Sequence, residues 1–124
     1  MQTRASLLDI SDPSPGLTLS NDRTIKVSVI GGPSAGLTCE LTKPKTSIGS
    51  AGGGADIEIN DPQVSPMHCA VGLTEDVIRL CDLDSANGTY VNDEQIEAID
   101  LEHLAEFRIG STWFLVLVSQ KHTV

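Results

Sequence analysis

The sequence predicts an all-β domain, a sandwich or a barrel of mostly antiparallel strands, and three observations carry that reading. Apolar and polar residues alternate in short runs between Ile25 and Val118, the period-2 signature of half-buried strands. Glycine, proline, asparagine and aspartate separate these runs at short intervals, as turns require. Only Ile99 to Phe107 carries a pattern that would hold a helical turn.

Taken in order, residues 1–23 read as a flexible N-terminal tail or linker, because Ser11-Asp12-Pro13-Ser14-Pro15-Gly16 is linker chemistry. Residues 24–120 read as the domain. Ile25, Val27 and Val29 alternate, Gly31 to Gly36 turns, and Leu37, Cys39 and Leu41 alternate again. Lys43-Pro44-Lys45 breaks the pattern. Short strands follow at Thr46–Ile48, Ile57–Ile59, His68–Leu73, Val77–Leu83, Thr89–Val91 and Phe107–Ile109. Asn92-Asp93 suits a two-residue hairpin turn, since both types tolerate positive φ. Trp113 to Val118 is apolar on both faces, which predicts a central strand.

Composition bounds the function. A chain of 124 residues fits one domain, and 40% apolar content supplies a core. Only 3% is aromatic, so Ile, Val and Leu must fill that core. No apolar run approaches the ~18 residues of a membrane span, and the first ten residues lack the apolar stretch of a secretory signal. A cytoplasmic protein is expected. The formal charge is −9, and Ala51 to Glu106 holds thirteen acidic residues against one basic residue, Arg79. Such a surface repels nucleic acid and anionic membrane, so neither is an expected partner. Cys39, Cys69 and Cys81 are odd in number and lie in strand-like stretches, which suits reduced, buried thiols better than a disulfide framework.

The chemistry lies in the loops. Ile48-Gly49-Ser50 comes first, then Asp61 to His68 with Ser65-Pro66-Met67-His68 at its end, then Ala86-Asn87-Gly88-Thr89, then Asn92. Ordered in this way, with strands between, the set resembles the forkhead-associated (FHA) domain of the bacterial type. That family's pattern is Gly-Arg, Ser-x-x-His, Asn-Gly-Thr and a later Asn. The resemblance runs from about Thr24 to Ser119. It implies an FHA/SMAD-like β-sandwich of about eleven strands with a phosphothreonine-peptide site on the loops at one end. By resemblance, the phosphopeptide-binding positions are Ser50, Ser65, Pro66, Ala86 and Asn87. Gly49, His68, Gly88 and Asn92 are implied to be structural in the site loops. A resembling module would also allow a phosphorylated tail, at Thr3 or Thr18, to fold back onto the site.

The departures fall on the phosphate grip. Ser50 stands where the family has an arginine, whose fork binds phosphate in bidentate fashion. Pro66 has neither a side-chain donor nor an N–H, and Ala86 has no side-chain donor. Only Ser65 and Asn87 keep polar side chains of the family's kind. Hydrogen bonds to charged groups are worth roughly 1.5–3 kcal/mol, so loss of the arginine alone predicts binding weakened at least about tenfold. Lys43 and Lys45 are candidates to reach the site from its edge, whereas Asp56 and Asp61 would repel phosphate. Ser65 itself reads either as a ligand or as a turn residue bonding its own loop.

Other chemistries fit poorly. A Ser65–His68 nucleophile pair lacks an elbow or oxyanion-hole motif. Cys69, Cys81, His68 and His103 lack a Cys-x-x-Cys pattern for zinc. Ser50-Ala51-Gly52-Gly53-Gly54 is not followed by the Gly-Lys-Ser/Thr of a P-loop. The expectation is therefore no catalysis, no cofactor, no metal and no small-molecule substrate. The function expected is a protein-interaction module that binds a phosphothreonine-containing partner weakly, or a protein partner independently of phosphate. The alternative is a docking or regulatory domain of a larger bacterial signalling, secretion or transcription-activation assembly.

Overall fold

The computed structural model of the protein describes residues 23–120. The tail expected over residues 1–23, with Thr3 and Thr18, lies outside the described residues except for Arg23, which begins the first strand.

Eleven strands fill the described residues: β1 (Arg23–Gly31), β2 (Thr38–Glu40), β3 (Lys45–Ser50), β4 (Ile57–Ile59), β5 (Cys69–Leu73), β6 (Ile78–Asp82), β7 (Thr89–Val91), β8 (Glu94–Ile96), β9 (Ala98–Leu101), β10 (Glu106–Ile109) and β11 (Thr112–Gln120). They form two sheets. One has the order β9-β6-β5-β3-β4 and the other β2-β1-β11-β10-β7-β8. All pairings are antiparallel except β3 with β4. Among the described residues no helix is long and apolar enough to cross a membrane.

Strand alternation builds the core as the period-2 pattern requires. Ile25, Val27 and Val29 of β1 point inward beside Phe114 and Val116 of β11, with Val29 opposite Phe114 and Val27 opposite Val116. Across the sandwich, Ile48, Ile57, Ile59, Val71, Leu73, Ile78 and Leu80 join the same cluster. The two phenylalanines, Phe107 and Phe114, pair across β10 and β11 and stack with ring centroids 4.8 Å apart. With so few aromatic residues, this stack anchors a core otherwise made of aliphatic side chains.

Two expectations need correction, and a third is met with a difference in burial. The helical turn expected within Ile99 to Phe107 does not form. Ala98–Leu101 is a strand against β6, and Leu104 turns in a left-handed conformation (φ 71°) with its amide on the Val116 carbonyl. The central strand expected at Trp113 to Val118 is found, with one face fully covered at Phe114 and Val116 and Trp113 on the other face 37% exposed. Of the three thiols, Cys69 is buried, while Cys39 and Cys81 are only partly covered, and all three are free.

Candidate functional site

Three loops meet at one end of the sandwich, and their meeting is held mainly by main-chain atoms. The end of β3 supplies Gly49 and Ser50. Residues 60–68 link β4 to β5 and carry Ser65, Pro66 and His68. Residues 83–88 link β6 to β7 and carry Ala86, Asn87 and Gly88.

The first contact is the closest. The Ser50 amide donates to the Ser65 carbonyl at 3.0 Å and the His68 amide to the Ile48 carbonyl at 2.9 Å. Gly49 lies so near the second loop that a Cβ there would sit 1.8 Å from the Pro66 carbonyl oxygen. No side chain fits, which accounts for glycine at 49.

His68 is fully buried and ties the second loop to the third. Its Nδ1 accepts the Ser65 amide at 3.0 Å, so in that tautomer Nε2–H donates to the Gly88 carbonyl at 2.9 Å. Both ring nitrogens are committed to main-chain partners, and neither bonds the Ser65 hydroxyl. Gly88 itself has φ +89°, a conformation glycine adopts without penalty.

The Ser65 side chain does not bond its own loop, as the turn reading would have it. Its Oγ accepts the Ala86 amide at 3.1 Å, a bond to the neighbouring loop rather than its own. Among the described residues this hydroxyl donates to no acceptor. The exposed Asn87 uses Nδ2 to donate to the Gln63 carbonyl at 2.8 Å, which leaves its Oδ1 to accept. Ser50, Ser65, Pro66, Ala86 and Asn87 are thus brought to one junction. Asn92 is not part of it. With φ 52° beside Asp93 at 67°, it forms the two-residue turn between β7 and β8.

Charges near the junction differ from the sequence expectation. Lys43 is not free to reach in, because its Nζ lies 2.5 Å from Asp56 Oδ1. That bond, with those from Ser47, lowers the Asp56 carboxyl to about 2. Asp61 does not face a ligand at all. It is buried and accepts the amides of Gln63 and Ser111 and the hydroxyls of Ser111 and Thr112. Burial alone would raise its carboxyl, but these four donors outweigh burial and hold it below the usual range. Asp61 therefore fastens the second loop to the β10–β11 hairpin. Asp82 plays a similar part in the third loop: it accepts the amide and hydroxyl of Ser85 and the hydroxyl of Thr89.

Sequence reasoning missed both braces. A local signal existed for each. Asp61 bonds the amide two residues on and Asp82 the amide three residues on, the self-capping habit of aspartate in loops. The distant partners of Asp61 had no such signal.

The first loop has its own clamp. Parallel neighbours ordinarily need a crossover of about a dozen residues or more, yet β3 returns to pair with β4 after residues 51–56. Gly52 (φ +88°) and Gly54 (φ +90°) make the return possible. Ser47 and Asp56 exchange amide–side-chain bonds across its base. At its tip, the Glu58 carboxylate takes the Gly52 amide on Oε1 at 3.1 Å and the Gly54 amide on Oε2 at 3.0 Å. Those two amides hold the Glu58 carboxyl below its ordinary range.

Residues 28–120 match the family profile described as "Inner membrane component of T3SS, cytoplasmic domain". A glycogen accumulation regulator, GarA, of Mycolicibacterium smegmatis is 34% identical over 90 residues, 73% of this chain and 56% of that protein. The chain thus spans about half the length of this curated relative. Among solved structures, an FHA domain from a Chlamydia trachomatis protein superposes with a TM-score of 0.71 at 25% identity, covering 76% of this chain and 96% of that one. Mycobacterium tuberculosis EmbR, solved with a low-affinity phosphopeptide, superposes with a TM-score of 0.70 at 25% identity, covering 82% of this chain and 26% of that one.

Proposed function

The chain belongs to the forkhead-associated (FHA) family of protein-interaction modules, and on that premise we propose that it reads a phosphothreonine-bearing segment of a protein partner with a weakened grip. The observation that carries this reading is Ser65. Its oxygen is pinned by the Ala86 amide while its hydrogen remains to be given to an anion. Beside it, Asn87 is anchored through one end of its amide and offers the other to a peptide main chain. Ser50 and Pro66 supply no charged donor, so affinity is lower than an arginine-bearing site would give.

Binding without catalysis fits the same geometry. His68, the residue a nucleophile mechanism would need as base, is occupied on both nitrogens by main-chain groups. A cytoplasmic location fits the matched family's description as a cytoplasmic domain. That description also favours a second reading, in which the domain docks inside a membrane-associated assembly without phosphate; Ser50 in the arginine's place supports it.

Fluorescence anisotropy with a degenerate phosphothreonine peptide library, and with its unphosphorylated twin, separates the two. The expected result is binding of the phosphorylated library alone, at an affinity weaker than about micromolar. Equal binding of both libraries, or of neither, would reject phosphate reading in favour of docking.

A further inference from the structure

The Glu58 contact is a carboxylate held by two main-chain amides, which is the geometry in which proteins hold anions without a basic side chain. Gly52 and Gly54 aim their N–H groups at one point, and Glu58 fills that point with one oxygen on each. The surroundings are open: a Cβ built on Gly52 or Gly54 would meet nothing within 4 Å. The loop also rests directly on the second site loop, since a Cβ on Gly53 would come within 2.7 Å of the Pro66 Cβ. Position 50, where the phosphate-gripping arginine is missing, is two residues before Gly52 and bonded to the Ser65 carbonyl. Donors for an anion therefore exist on the arginine's own loop, and the chain's own side chain occupies them.

We propose that the Gly52 and Gly54 amides are the phosphate seat of this domain and that Glu58 is an internal competitor for it. The proposal rests on the phosphothreonine reading of the same loop junction. A phosphate monoester carries about −1.5 to −2 charge and three acceptor oxygens at neutral pH, so it displaces a single exposed carboxylate. Glu58 is exposed and swings away without opening the core. The bland alternative is that Glu58 only staples the loop, which predicts the opposite response to its removal.

The test is a proton–nitrogen NMR titration of the wild type, Glu58→Ala and Glu58→Gln. The probes are inorganic phosphate and, separately, a phosphothreonine peptide library. In the wild type, the Gly52 and Gly54 amide resonances should move on addition of either probe. In both variants the same shifts should reach half-saturation at about tenfold lower concentration, because a charge-assisted competitor has gone. If the variants respond at the same or higher concentrations, Glu58 is a staple and the proposal is overturned. Movement at Ser65 and Asn87 with a still Gly52 and Gly54 would also overturn it, while leaving phosphothreonine reading intact. If inorganic phosphate moves Gly52 and Gly54 but the peptide library does not bind, the seat stands and peptide reading fails.

Discussion

Replacing His68 with Ala should weaken the domain by about 3 kcal/mol, and each part of that figure comes from an observed contact. The imidazole is fully buried and makes two hydrogen bonds, at 3.0 Å from the Ser65 amide and 2.9 Å to the Gly88 carbonyl. Losing both removes roughly 1 kcal/mol each. The space left behind adds roughly 1 kcal/mol, since truncation in a close-packed interior leaves a cavity that relaxes only partly. With a urea m-value of about 2 kcal/mol/M for a domain of this size, the unfolding midpoint should fall by roughly 1.5 M. Amide exchange adds a local readout: the Ser65 N–H loses its acceptor and should exchange faster in the variant. A midpoint within about 0.2 M of the wild type, with Ser65 exchange unchanged, would show that the loops are held without His68.

Three further outcomes are expected. Gly49→Ala forces a Cβ to 1.8 Å from the Pro66 carbonyl oxygen, so the first two loops must part; a loss of about 1–3 kcal/mol or more in chemical denaturation is expected, and a neutral result would refute the close approach. Asp61 has a lowered folded-state value, so its contribution is present at neutral pH and is lost as pH falls through the ordinary carboxylate value towards the depressed one. Asp61→Asn should therefore be destabilised at neutral pH and lose less stability in acid than the wild type, and parallel acid titrations would refute this. Ser50→Arg should strengthen phosphothreonine-peptide binding at least about tenfold, with the gain shrinking in added salt; no gain in anisotropy titrations would count against a site weakened at position 50.

Much of the fold was legible because one face of most strands is buried. Ile25, Val27 and Val29 alternate in the sequence because the sandwich interior lies on one side of β1. The strand that escaped notice, Ala98–Leu101, sits at a sheet edge and buries little, so main-chain pairing rather than side-chain patterning defines it. The false helical signal arose from Leu101, Leu104 and Ala105, whose spacing mimics a helix face; only Leu101 is buried, while Leu104 is 57% exposed. At the junction, Gly49, Ser65, His68 and Asn87 were recognisable as an ordered set. Asp61 was not, because Ser111 and Thr112 stand some fifty residues away and an isolated loop aspartate reads as solvated. The engagement of Lys43 with Asp56 was hidden in the same way.

The His68 brace grips only main-chain atoms, the amide of Ser65 and the carbonyl of Gly88. The side chains at 50, 66 and 86 play no part in that brace. On the proposed reading, the contact positions 50, 66 and 86 are separate from the atoms that make the brace, so they can drift while the brace is preserved. A binder library randomised at Ser50, Pro66 and Ala86 should return mostly folded clones, whereas one randomised at Gly49 and His68 should return few. The domain is in this sense a rigid holder with interchangeable tips, suited to being retargeted to new partners by a handful of substitutions.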